Sequence, residues 1–367
     1  MIIGIPRERK TLEKRVAVTP DGARELVESG HELRVEKEAG LGSFYSDQDY
    51  LDAGCKIVQT LKEVWESELV VKVKEPDKEE YQYLREDLIV FDYLHLSGLP
   101  EVAEQLLRAK TTGIAYESVQ SEGGLPLLEP MSEVAGRLST QLGAHHLLTQ
   151  RGGRGVLLGG TEKVAAGTVT VIGAGIAGTA AIDVAYGMGA KVNVLDINQE
   201  RLDQVKAEYP DRITTYLSSP EVISEVAPKT DLMILAVLVP GAKAPQVLRR
   251  EHVESMPAGS VLIDIAIDQG GAAETIKPTS LKESTYVECG VIHYAVPNMP
   301  SQVARTSTKA LTRVTLPYIK LIADKGLSGA TAESAELASA VNTYQGRITN
   351  QEVARSLGKD YQDFKIT

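Results

Sequence analysis

Short apolar runs, rich in Val, Ile and Leu, recur along this chain. Between them lie longer stretches whose apolar positions return every three or four residues. The first pattern predicts buried strands and the second amphipathic helices. Strands are expected at Ile2–Ile5, Glu32–Val35, Leu69–Val73, Leu88–Tyr93 and Thr112–Ala115. Thr19-Pro20-Asp21 predicts a helix start, with Thr19 as N-cap and Pro20 in the first turn, and Gly30 marks its end. Pro100–Ala109 reads as another helix. Strand and helix alternate, which implies a parallel α/β domain. Val134, Leu138, Leu142 and His145 or His146 recur at helical spacing behind Ser132, which is expected to cap a helix bridging to a second domain.

The strongest local pattern spans Thr168 to Asp196. A β-branched run, Val169–Ile172, leads into Gly173, Gly175 and Gly178, then a small-residue helix, a stop at Gly189, and a second strand ending at Asp196. Each part suits a dinucleotide. Gly173 makes the turn, Gly175 lets the backbone approach a pyrophosphate, and Gly178 allows helix to pack on strand. The helix N-terminus offers N–H groups to the phosphates. Asp196 follows Gly178 by 18 residues, near the spacing of a carboxylate that binds the ribose hydroxyls. A tight turn that binds nothing would share the glycines, but not the terminal acid.

Further strands are expected at Ile213–Leu217, Leu232–Leu238 and Val261–Ile267. Ligands sit at the carboxyl ends of such strands, so the loops at Ser218, Leu238–Pro245 and Asp264–Gly271 are expected to face the cofactor. Tyr294–Pro300 reads as an irregular turn. A long helix from about Gln302 to Asp324 follows, then a polar tail with two short helical stretches. The fold class expected is α/β: two Rossmann-like parallel-sheet domains joined by long helices, with an active-site cleft between them. Residues 1–127 with 302–367 are expected to form one domain and 128–301 the other.

Composition narrows the possibilities. Three Phe and one Trp leave the cores to aliphatic residues. A net charge of −11 disfavours nucleic acid and anionic lipid as partners. Two cysteines, Cys55 and Cys289, are too few for a disulfide framework, and a reducing cytoplasm is the natural compartment. No apolar run is long enough to span a membrane, and no signal peptide is visible. No HExxH or CxxC occurs, and adjacent His145 and His146 point about 100° apart, so no metal is expected.

Blocks along the whole chain resemble the alanine dehydrogenase family, which shares ancestry with the nucleotide-binding subunit of proton-translocating transhydrogenases. They include IPRERKTLEKRVAVTP at the start, VKVKEP at 71–76, YLHL at 93–96, PMSEVAGR at 130–137, the glycine turn, AVLVPGAKAP at 236–245, DIAIDQGG at 264–271, VPNMPSQVARTST at 296–308 and NTYQGRITNQEVA near the end. The resemblance implies oxidative deamination of L-alanine to pyruvate and ammonium with NAD, its reversal, and a homohexamer. It implies that the terminal regions form the substrate domain and the inserted region the NAD domain.

By the same resemblance, Arg15 and Lys74 hold the substrate carboxylate and carbonyl oxygen, His95 is the acid/base group, and Asp268 is its acidic partner. Asn298 and Met299 lie near substrate and nicotinamide. Ser132, Gly178, Asp196, Arg201, Ser218, Leu238 and Ile265 line the NAD site, along with Gly173 and Gly175. The residues themselves leave alternatives. A His at a strand end is often structural, and Arg or Lys is usually a solvated charge. Lys72 and Lys74 are expected on one face of their strand. Asp264 reads as a buried acid held by backbone N–H groups. Asp92 departs from the family pattern, where many members carry a small uncharged residue, and little consequence is expected from it. A transhydrogenase subunit and an NAD(H) sensor without turnover are the competing functions.

Overall fold

The computed structural model describes residues 1–237 and 243–366. The chain divides into two compact units, Met1–Met131 with Ser301–Thr367, and Ser132–Pro300.

The first unit carries strands β1 (Ile2–Ile5), β2 (Glu32–Glu36), β3 (Lys56–Val58), β4 (Leu69–Lys74), β5 (Ile89–Tyr93) and β6 (Thr112–Ala115). They pair in parallel in the order 3-2-1-4-5-6. Strands β4 and β5 are buried along nearly their whole length. That suits a sheet covered on both faces, where apolar runs need not alternate with polar residues. Thr19 caps the first helix, Pro20–Glu28, by accepting the Gly22 N–H at 3.2 Å. Leu26 on its inner face is fully buried, worth about 1.5–3 kcal/mol of apolar transfer.

The second unit repeats the plan with β7 (Thr168–Ile172), β8 (Lys191–Asp196), β9 (Ile213–Leu217), β10 (Leu232–Leu235), β11 (Val261–Asp264), β12 (Thr285–Glu288) and β13 (Val291–Tyr294). The order is 12-13-11-10-7-8-9, with β12 antiparallel at the edge. Apart from that edge strand the winding is the same as in the first unit. In each sheet the strand order reverses once, between β1 and β4 and between β7 and β10. Such a switch point opens a crevice at the carboxyl ends.

Several expectations need correction. Ser132 does not cap a helix, because the helix begins earlier and runs Glu129–His146, placing Ser132 in its first turn. The strand expected to reach Ile267 stops at Asp264, and Ile265–Gln269 coil into a 3₁₀ turn. The long helix runs Ala304–Glu333, past Asp324, with an interruption at Gly326 (φ 65°, ψ 175°). The tail does carry two short helices, Ala335–Ser339 and Gln351–Leu357, but between them β14 (Val341–Tyr344) and β15 (Arg347–Ile348) form an unexpected hairpin that adds antiparallel to β6. Both sheets are therefore mixed rather than purely parallel. The hairpin covers the β6 edge that would otherwise stay unpaired, which a scan for long apolar runs cannot reveal in strands this short. Lys72 and Lys74 also part company. Val71 pairs with Phe91 but Lys74 with Tyr93, so β4 carries an extra residue there. Lys72 is 1% exposed while Lys74 is half-buried.

Candidate functional site

In the first unit, three carboxyl ends meet at the switch point. The loop after β1 carries Glu8, Lys10, Glu13 and Arg15, β4 ends at Lys74, and His95 follows β5. Glu8, Glu13 and Arg15 of this loop are buried, while Arg7 and Lys14 face solvent. Arg15 is 2% exposed. Its Nε donates to Glu13 Oε1 at 2.7 Å and its Nη2 to Glu13 Oε2 at 2.6 Å. This two-point pairing fixes the plane of the guanidinium. Nη1 lies 3.1 Å from the Met131 sulfur. A surface role for Arg15 is thereby excluded.

Glu8 ties the same loop to β4, accepting the Val73 N–H at 2.6 Å and the Lys74 N–H at 3.4 Å. Burial raises its pKa to about 7, against the pull of Lys72. Lys72 lies beneath, with Nζ 2.9 Å from Glu80 and 3.6 Å from Glu8. Asp92 is fully buried, and neither of its oxygens has a hydrogen-bond partner. Burial holds its pKa well above the usual aspartate range, with Lys72 opposing. The departure at Asp92 is thus a buried, desolvated acid and not an inconsequential one.

His95 sits just past β5 in left-handed backbone, φ 48° and ψ 36°. Its side chain is 44% exposed at 3.7 Å from Glu117. Tyr93 stacks on it, ring centroids 5.7 Å apart and planes within 5°. Burial first, then the charges of Lys74, Lys10 and Arg15, push its pKa down to about 4. Those three cations and the imidazole therefore share one electrostatic neighbourhood, a combination suited to an anion.

In the second unit the glycine turn has the geometry a dinucleotide requires. Gly173 has φ 103°, and a β-carbon there would lie 2.5 Å from Ala236 O. At Gly178 it would lie 1.7 Å from Gly173 O. Around Gly175 nothing stands within 4 Å, so the space a side chain would take is open. The helix Ile176–Gly187 starts there with no side-chain cap, leaving its first N–H groups to a ligand. These features fit a pyrophosphate. Asp196 ends β8, 6% exposed, and accepts from Ala174 N at 2.6 Å and Asn198 N at 2.8 Å. Each carboxylate oxygen retains a second acceptor site. Asp196 thus braces the glycine turn.

The other residues singled out above distribute as follows. Ser218 closes on Asp196, its N–H donating to Asp196 O at 2.9 Å. Arg201 lies exposed in the helix Gln199–Glu208. Ile265 begins the 3₁₀ turn after β11, and Asp268 lies exposed within it. Asp268 accepts the Asn298 N–H at 3.1 Å, and Asn298 is itself left-handed at φ 54°. Met299 is buried and Ser132 half-buried. Asp264 accepts from Ala266 N at 2.9 Å and Ala272 N at 2.6 Å, and burial raises its pKa to about 6. It shapes the loop that carries Asp268. Leu238 lies outside the described residues.

Sequence reasoning missed Glu13, Glu8 and Glu117. A buried arginine demands an acid partner, but the loop's several charges do not say which one folds back.

Comparison with known proteins agrees with this picture. Residues 4–135 match "Alanine dehydrogenase/PNT, N-terminal domain", and residues 139–351 match "Alanine dehydrogenase/PNT, C-terminal domain". An alanine dehydrogenase of Staphylococcus haemolyticus is 49% identical, covering 98% of this chain and 97% of its own. One of Bacillus subtilis is 48% identical, covering 98% and 96%. A solved L-alanine dehydrogenase superimposes with a TM-score of 0.95 at 45% identity, covering 98% of this chain and 99% of its own. A transhydrogenase from Sinorhizobium meliloti shares the fold, with a TM-score of 0.82 at 23% identity over 96% of this chain and 99% of its own. With both halves of the sequence matched and relatives this similar over nearly full length, the chain belongs to the alanine dehydrogenase/PNT family.

Proposed function

We propose that the protein is an NAD-dependent L-alanine dehydrogenase. It converts L-alanine, NAD⁺ and water to pyruvate, ammonium, NADH and a proton, and runs the reverse. The observation that carries this is the meeting of Arg15, Lys74 and His95 at one sheet switch point. A nucleotide domain alone needs no such cluster, whereas an amino acid needs an anion clamp and a proton acceptor.

Arg15, held in plane by Glu13, and Lys74 take the substrate carboxylate and the oxygen that becomes a carbonyl. His95 accepts the proton of the water that adds to the iminium carbon, and returns it as ammonia departs. Its lowered pKa keeps it neutral, and so ready as a base, at neutral pH. Asp268 orients Asn298 through its backbone and serves as the acidic group near the reacting atoms. Gly173, Gly175, Gly178 and the helix they open hold the pyrophosphate. Asp196, with Ser218, Arg201, Ser132, Ile265 and Met299, lines the rest of the NAD site. NAD, when bound, supplies the hydride acceptor for the substrate Cα.

Among the described residues no helix is long and apolar enough to cross a membrane. Both cysteines are free thiols, which supports a reducing cytoplasm. A hexamer follows from family resemblance, and sedimentation tests it. The activity test is direct: L-alanine and NAD⁺ are mixed with the protein and NADH absorbance is followed. No alanine-dependent NADH, with NADH binding intact, would favour a sensor or a transhydrogenase-type subunit.

A further inference from the structure

His95 holds a left-handed backbone conformation that residues with a β-carbon adopt uncommonly. Glu117, just past the end of β6, holds the backbone N–H of this residue. Its Oε1 accepts the His95 N–H at 2.6 Å and lies 3.7 Å from His95 Nδ1. Its Oε2 is buried and has no hydrogen-bond partner. Tyr93, stacked on the imidazole, is itself fixed by donating its hydroxyl to Leu127 O at 2.5 Å. Tyr93 therefore covers one face of the ring, and a carboxylate stands beside its Nδ1 edge.

We infer that Glu117 is the positioning residue for His95, holding its backbone and facing Nδ1 so that Nε2 is the nitrogen that exchanges protons with substrate. This rests on the reading of His95 as the proton-transfer group.

The electrostatics explain why such a partner is needed. Lys74 on β4 and Lys10 and Arg15 on the loop after β1 all oppose a proton on His95. When His95 takes the proton from the attacking water, it becomes a cation among three cations. The Nδ1–H then faces a carboxylate, which offsets them. The proton enters at Nε2 and leaves there, and Nδ1 keeps its own. Glu117 is held in turn by its surroundings. Burial raises its pKa to about 7, while the backbone N–H groups it accepts and Lys74 favour its charged form. Asp92 of β5 lies near it, as do Tyr93 and, beyond Asp92, Tyr116.

The test uses the full-length protein with Glu117→Gln, Glu117→Asp and His95→Ala. The measurements are kcat and KM for pyruvate amination across pH, and NADH affinity by fluorescence. Glu117→Gln removes the anion beside the ring. It should lower kcat by at least about tenfold, short of the roughly 10²–10⁴-fold carried by proton transfer itself. The kinetic pKa assigned to His95 should move to lower pH, with KM for pyruvate and NADH affinity unchanged. Glu117→Asp draws the carboxylate back by one methylene and should fall between wild type and Gln in both kcat and kinetic pKa. If Glu117→Gln does not fold, the Asp variant carries the same test against wild type. Wild-type kcat and an unmoved kinetic pKa in the folded Glu117 variants, with His95→Ala inactive, would overturn the inference. Near-normal turnover in His95→Ala would instead overturn the reading of His95.

Discussion

Asp92 offers a measurement whose sign follows from burial. Its carboxyl is buried with no hydrogen-bond partner, and it stays protonated in the folded protein well above the usual aspartate range. In the unfolded chain it ionises at the ordinary value. Between those two pKa values the folded state binds one more proton than the unfolded state. Its contribution is therefore largest in acid and is lost as pH rises through that window. The slope does not depend on where the folded pKa lies, only on its lying above the working pH. One proton corresponds to about 1.36 kcal/mol per pH unit. Asp92→Asn keeps the shape and cannot ionise, so this slope vanishes. Relative to wild type, the variant should gain stability as pH rises through that window, by up to about 1.36 kcal/mol per pH unit. The absolute offset is not the test, because the amide is also buried. Lys72, Glu8, Glu75 and Glu117 surround the site, and their titration is common to both proteins. Trp65 is the chain's one tryptophan and is fully buried in the first unit. Its fluorescence during denaturant unfolding, at fixed protein concentration, therefore reports on the unit that holds Asp92. Parallel stability curves for the two proteins would refute the reasoning and mean that Asp92 is ionised in the folded state.

Three further outcomes follow from the geometry. Arg15→Lys cannot reproduce the two-point contact with Glu13, so KM for alanine and pyruvate should rise by roughly ten- to a hundredfold, the equivalent of about 1.5–3 kcal/mol; unchanged pyruvate kinetics would remove Arg15 from the site. Gly178→Ala drives a β-carbon into Gly173 O and should lower the melting temperature and abolish NADH binding. Gly175→Ala meets no protein atom and should melt like wild type yet bind NADH weakly, so a stable Gly178→Ala or a tight-binding Gly175→Ala counts against the assigned roles. Asp196→Ala removes the charge that would repel a 2′-phosphate and also the acceptor for Ala174 N–H, so NADH affinity should fall while the preference against NADPH relaxes; fluorescence titration with both nucleotides reads each effect.

Much of this was legible from local pattern. The strand–glycine–helix–strand unit ending at Asp196 declares itself because each step rests on local sterics: positive φ at Gly173, the missing side chains at Gly175 and Gly178, and an apolar strand on either side. The strands Thr112–Ala115 and Ile213–Leu217 stand as expected. The short strands β3 and β12 to β15 were missed because their apolar content is too slight to show a period. The candidate residues Arg15, Lys74 and His95 came from blocks of similar sequence, and their types alone would have suited a solvated surface.

By itself, then, the sequence determined two α/β units, a dinucleotide turn and a short set of polar residues worth testing. Those are consequences of near-neighbour chemistry along the chain. The tertiary structure decided which charges are buried and which of them meet. Glu13 pairs with Arg15 through a tight local loop, but Glu8 reaches β4 across 65 positions, and Glu117 reaches His95 from the next strand. Strand order brings those ends together, and burial then turns ordinary carboxylates into groups with raised pKa. Neither strand order nor burial is a property of any one stretch of sequence.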